Sequence, residues 1–203
     1  MIAGSTLLAF IPIAALLTIT PGTDTLLVLR TASLDSARAA ASAGLGIALG
    51  CLVWGLVVAS GLGALLIASP LIFDWLRIAG AAYLAALGIG LMVGPQPPGH
   101  AARALPGTAF RRGLLTNVLN PKVGAFYLTF LPQFLPRGTV DPTAGLLLAS
   151  VHVLLTLVWF AILIGFAQRL SPLMNNRAFT RSIDRVCGVV FIGFGLKLAL
   201  SRT

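Results

Sequence analysis

The chain has 203 residues, 58% hydrophobic and 9% charged, with a net charge of +9, whereas a soluble domain carries about 25% charged residues. A mean hydropathy of +0.98 excludes a soluble globular domain and marks an all-α polytopic membrane protein, since the alternating, roughly ten-residue pattern of an outer-membrane barrel is absent.

Six segments, about 5 to 29, 38 to 67, 71 to 93, 112 to 133, 143 to 168 and 183 to 201, are apolar enough and long enough to cross a bilayer as helices. The first has no Lys or Arg before Arg30 and no small-residue cleavage pattern, so it is expected to stay in the mature protein. It is interrupted at Thr20-Pro21-Gly22 and carries Asp24 just beyond. Thr favours the N-cap and Pro the first helical position, so a helix start inside the membrane is predicted there.

The second segment presents a small-residue face, Gly44, Gly46 and Gly50 with Ala40, Ala43 and Ala48, which predicts close helix contact. Whether such faces build a homodimer or contacts within one chain stays open. Cys51 sits alone in this segment, as Cys187 does in the last, and both read as small buried hydrophobes rather than redox or metal groups.

After the third segment, Gly94-Pro95-Gln96-Pro97-Pro98-Gly99-His100 is the longest polar connection. It divides the chain into a three-helix repeat at 1–93, a linker at 94–111 and a second repeat at 112–203. The fourth segment opens the second repeat and is interrupted at Asn120-Pro121-Lys122, another N-cap followed by proline. Because each repeat has three spans, the second enters the membrane upside down relative to the first, the inverted plan of many secondary transporters. In the fifth segment His152 reads either as a proton relay or as a hydrogen-bonded packing residue.

Charge placement orients these helices. Nine arginines, from Arg30 and Arg38 to Arg181 and Arg185, fall in or beside the first, third and fifth connections. The positive-inside rule therefore puts those connections in the cytoplasm and both termini outside. The basic balance is a topology signal, with lipid headgroups as partners and nucleic acid excluded.

Asp24 and Lys122 are the mid-span charges of their halves, and such charges persist where they line a pathway or meet a partner. Six residues from Arg30 set Asp24 roughly 9 Å from the cytoplasmic helix end, and ten from Arg112 set Lys122 roughly 15 Å in. The two half-helices after the breaks would point their N-termini at each other, a positive environment that suits a carboxylate. An α-amino acid fits, its ammonium near Asp24 and its carboxylate near Lys122. Thr20, Thr23, Asn117 and Asn120 are further candidates for lining the site. The competing structural reading makes Asp24 and Lys122 a buried ion pair that locks the repeats, worth roughly 4 kcal/mol at an effective dielectric near 20.

At these residues the sequence resembles the LysE/RhtB family of amino-acid exporters. The family's P-G-P-(D/N) step with a following Leu-rich stretch and Arg is matched by Pro21-Gly22-Thr23-Asp24-Thr25-Leu26-Leu27-Val28-Leu29-Arg30, and its F-x-x-G-x-x-x-N-x-x-N-P-K run by Phe110, Gly113, Asn117 and Asn120-Pro121-Lys122. A downstream L-P-Q-F is matched by Leu131-Pro132-Gln133-Phe134. Thr23 departs from the pattern, standing where the family usually has a second proline. The resemblance implies export of amino acids or related small metabolites across the inner membrane by proton antiport, with Asp24 as the proton carrier and no cofactor. The alternatives are a metal-ion or other small-solute exporter and a structural membrane subunit. An enzyme is not expected, because no nucleophile and base or paired carboxylates occur at depth.

Overall fold

The computed structural model describes residues 4–20, 22–62, 70–93, 106–135, 141–169 and 177–200. Among them it is all-helical, with helices α1 (Gly4–Ile19), α2 (Thr23–Leu34), α3 (Ala37–Ala59), α4 (Pro70–Val93), α5 (Pro106–Val118), α6 (Pro121–Thr129), α7 (Pro142–Arg169) and α8 (Arg177–Leu200), and a 3₁₀ turn at Leu131–Phe134. Helices lie over each of the six predicted segments. By length and apolarity, α3 and α7 are able to cross a membrane alone, and α1 with α2 forms a third candidate, bent by 55°. The predicted linker residues 94–105 and Pro21 lie outside the described residues.

Local chemistry accounts for the helix ends. Ser36 caps α3 by accepting from the Ala39 N–H at 3.1 Å, and Asp141 accepts from the Ala144 N–H at the start of α7. The second predicted span ran on to about residue 67, but α3 stops at Ala59 and Gly61 follows with φ 81°, a left-handed conformation that glycine adopts without a Cβ penalty.

Packing follows the inverse rule expected in hydrocarbon, where small residues let helices approach and large apolar ones face lipid. Leu45, Leu49, Val53 and Leu56 form an exposed stripe on α3, and Leu154, Val158, Ile162 and Phe166 do so on α7, while Thr23, Thr116, Asn117, Asn120, His152 and Thr156 are buried. The glycines of α3 are used inside the chain. A Cβ on Gly46 would strike the Phe110 carbonyl of α5, one on Gly50 the Asn117 side chain, and one on Gly113 the Ala43 carbonyl. From Ala43 against Gly113 to Gly50 against Asn117 the residue numbers rise together, so α3 and α5 run parallel.

Two other pairs run antiparallel, with one index falling as the other rises. On α3 and α7, Gly44 meets Phe160, Gly55 meets Ala149, and Ala59 meets Gly145. On α4 and α8, Gly88 lies against Gly188 and Ile192, while Gly188 lies against Gly88 and Met92. Each crossing is reciprocal: each glycine meets its counterpart's carbonyl and the side chain four residues beyond that counterpart.

Candidate functional site

The first break differs in register from its prediction. α1 continues through Ile19, the Thr20 N–H still bonds Leu16 O at 3.1 Å, and the Thr20 hydroxyl turns back to the same carbonyl at 2.6 Å. Thr20 is therefore the tail of α1 and not the cap of α2. A threonine hydroxyl at the end of a helix has its i−4 carbonyl within reach, which is the bond formed here. Gly22 is the N-cap of α2, in extended backbone and with no side chain to contribute, so Asp24 brings the negative charge to the first turn. At the second break Asn120 is the N-cap of α6 and Pro121 its first residue, the Asn120 Oδ1 accepting from the Lys122 N–H at 3.0 Å.

That cap fixes the Asn120 amide. Its oxygen faces the helix, so its NH₂ faces the other way and donates to Asp24 Oδ1 at 3.1 Å. Asn117, fully buried one turn earlier, donates to Asp24 Oδ2 at 2.8 Å and to Cys51 Sγ at 3.4 Å. Both Asp24 carboxylate oxygens, just past the first break, are thus held by amides at and just before the second. Gly50 makes room for the Asn117 side chain, and Trp54 packs over Gly124 just beyond the break.

Asp24 and Lys122 do not form the buried ion pair weighed from sequence. Lys122 Nζ instead donates to the Thr20 carbonyl at 2.6 Å and the Leu17 carbonyl at 2.9 Å. Those oxygens end α1, where the helix dipole is negative and a cation is favoured. The carboxylate sits at the positive end of α2, and the ammonium at the negative end of α1, so each charge meets a helix terminus of opposite sign.

These groups border a small cavity lined by Leu17, Thr18, Thr20, Gly22, Asp24, Thr25, Ile47, Cys51, Asn117, Asn120, Lys122, Val123, His152, Thr156 and Phe160. Of the sequence candidates, Asp24, Lys122, Asn120, Asn117, Thr20 and Gly22 meet here. Thr23 is buried at 2% exposure and is not part of this lining, and Thr18 bonds its own Ala14 carbonyl. The cavity volume is about 30 Å³, enough for one or two waters. Elsewhere in the core the rings of Phe10, Phe126 and Phe134 pack together, Phe10 edge-on to Phe134 at 5.3 Å. His152 is buried at 3% exposure and shares a 3.0 Å hydrogen bond between its Nδ1 and the Tyr127 hydroxyl.

Sequence reasoning missed Ile47, Thr156 and Phe160, and assigned Cys51 to simple packing. A usable signal existed for some of them: Thr156 and Phe160 lie four and eight residues after His152, on one helix face. Nothing in the sequence tied Cys51 to Asn117.

Comparison with known proteins places the chain among membrane transporters. The LysE type translocator family model matches residues 15–202. An uncharacterized membrane protein of Bacillus subtilis (strain 168), YrhP, is 31% identical over 96% of this chain and 99% of its own length. A leucine efflux protein of Enterobacter sp. (strain 638) is 29% identical over 92% of this chain and 91% of its own, and a threonine efflux protein of Escherichia coli (strain K12) is 28% identical over 96% of each. No solved structure matches. A model covering nearly the whole chain, with the motifs at both breaks assembled around one cavity, means that the chain belongs to the LysE type translocator family, a family of membrane transporters and not of enzymes.

Proposed function

We propose that this protein is a secondary transporter of the inner membrane that exports amino acids or related small metabolites, in exchange for protons. The observation that carries the reading is the Asp24 carboxylate of one helix break held by Asn117 and Asn120 beside the other break, at the wall of a cavity. Relatives named as leucine and threonine efflux proteins supply the substrate class. The substrate site comprises Asp24, Asn117, Asn120, Lys122 and Thr20 with the helix-break residues Pro21, Gly22 and Pro121; Thr23 acts through the shape of the first break.

Six spans in two inverted repeats, 1–93 and 112–203 joined by a cytoplasmic linker, are part of the same proposal. The antiparallel pairing of α3 with α7 and of α4 with α8, and the parallel pairing of α3 with α5, are the directions that six alternating crossings require. Reciprocal contacts at Gly55 with Gly145 and at Gly88 with Gly188 are those of elements related by a two-fold axis. Both termini then face outward. The glycines that meet across helices are spent on internal contacts, so a homodimer would form through other surface.

Proton exchange follows from the donors around Asp24. An amide NH₂ donates and does not accept, so the ionised carboxylate keeps both bonds, whereas a protonated carboxyl turns an O–H toward a donor. Taking up a proton loosens the contact between the two repeats, which is the coupling an antiporter needs.

The test is efflux of a panel of radiolabelled amino acids from preloaded cells, with and without an uncoupler, for wild type, Asp24→Asn and Lys122→Met. Uncoupler-sensitive efflux of one substrate, abolished in both variants at normal membrane levels, is the expected result. Normal efflux from both variants sinks the site, and no efflux of any amino acid by the wild type sinks the exporter.

A further inference from the structure

The carbonyl pair at the end of α1 is the resting place of the Lys122 ammonium. In an unbroken helix Leu17 O would accept from the N–H of residue 21, but residue 21 is proline and has none. Thr20 O lies just past the last helical residue. The break thus leaves two carbonyl oxygens at the edge of the cavity, that of Leu17 part-buried and that of Thr20 at an exposed position, in an apolar segment where an unpaired carbonyl is costly. Lys122 reaches them from the other repeat, its Cδ and Nζ running 3.6 and 3.7 Å from the place a Gly22 Cβ would occupy. With that side chain in place the cavity, about 30 Å³ in volume, admits water and not an amino acid.

We propose that the Leu17 and Thr20 carbonyls form a binding site for a primary ammonium, held by Lys122 in the closed protein and taken over by the ammonium of the substrate when the site loads. A primary ammonium carries three N–H donors, and two of them satisfy this pair. A quaternary ammonium has no N–H and leaves both oxygens unpaired. The exchange replaces one ammonium by another, so the charge at the α1 terminus is unchanged and Asp24 keeps its two amide bonds. Lys122, released, is free to meet the carboxylate of the same substrate. This moves the ammonium from Asp24, where the sequence alone put it, to the broken end of α1. The identity of the cation as an amino acid rests on the exporter reading; the carbonyl site itself does not.

The experiment therefore reads the site without transport. In purified full-length protein with Cys187 replaced by Ala, the remaining Cys51 lines the cavity and its reaction with methyl methanethiosulfonate reports access to it. Lys122→Ala is expected to raise the labelling rate about tenfold or more. Methylammonium is expected to slow labelling of that variant back toward the wild-type rate, and tetramethylammonium at the same concentration is expected to leave it fast. Lys122→Met keeps the aliphatic stem beside Gly22 and is read the same way should the Ala variant fail to purify as a single species. An unchanged labelling rate in both variants, or equal protection by the two cations, overturns the site. Selective protection by methylammonium in a protein that exports no amino acid would keep the site and discard the exporter.

Discussion

Asn120 and Asp24 are joined across the two helix breaks by a 3.1 Å hydrogen bond whose direction is set by helix capping, because the Asn120 oxygen is already engaged by the Lys122 N–H. A local backbone need at the second break thus determines which end of an amide faces the first. Replacing Asn120 separates the two duties. Asn120→Ala loses the cap, at about 1 kcal/mol, together with the bond to Asp24. Asn120→Asp keeps the cap and sets a second carboxylate against the first. We expect both variants to lose efflux, with the thermal midpoint of the purified Ala variant lowered, and retained transport by Asn120→Asp would show that the Asp24 contact is dispensable.

Gly50 gives the Asn117 amide its place, since a Cβ there would overlap the Asn117 side chain. Gly50→Ala is expected to cut efflux strongly by moving Asn117 off Asp24. Gly90, where an added Cβ meets nothing within 4 Å, is the control. Equal efflux from Gly50→Ala and Gly90→Ala at matched membrane levels would refute the role of Asn117.

Helix crossings at backbone contact distance set the stability. Gly113→Ala pushes a Cβ into the Ala43 carbonyl and Gly188→Ala into the Gly88 carbonyl at 2.8 Å, and neither neighbour is a flexible side chain. Overpacking of this kind costs about 1 to 3 kcal/mol. Detergent-solubilised protein should show a lower melting temperature for both variants and an unchanged one for Gly165→Ala, whose Cβ would have open space.

Tyr127 and His152 share a buried hydrogen bond at 3.0 Å. Tyr127→Phe leaves the His152 Nδ1 without that partner, and His152→Leu leaves the Tyr127 hydroxyl with Cys51 alone. Such bonds between membrane helices are worth about 0.6 kcal/mol on average and up to about 1.7. The double variant should therefore be less destabilised than the sum of the singles in a thermal unfolding cycle, and strict additivity would show that the pair is not coupled.

Sequence carried the helical fold and many of the residues that the structure brings together at the candidate site. Hydropathy located the helical segments because hydrocarbon leaves a backbone no partner but itself, so apolar runs of sufficient length become helices wherever they pack. The two proline steps were legible for a similar reason: proline withdraws a donor whatever surrounds it, and Asn120 next to Pro121 is a cap by local geometry alone. Asp24 and Lys122 stood out by their cost in lipid, and that cost is a property of the residue, not of the fold.

What the chain could not show in one dimension is which charge meets which partner. Sequence offered an ion pair, whereas the folded protein gives Asp24 to two asparagines more than ninety positions away and Lys122 to two backbone carbonyls about a hundred positions away. The register of the first break depended on whether the Thr20 hydroxyl turned back to Leu16 or forward to α2, two bonds of similar energy that neighbours decide. The use of Gly46, Gly50, Gly88 and Gly188 within one chain likewise depended on which helix arrived at each small-residue face. Residue type determined the cost of each polar group and each missing side chain; only the tertiary arrangement determined what met that cost, because the partners of Asp24 and Lys122 come from across the two helix breaks.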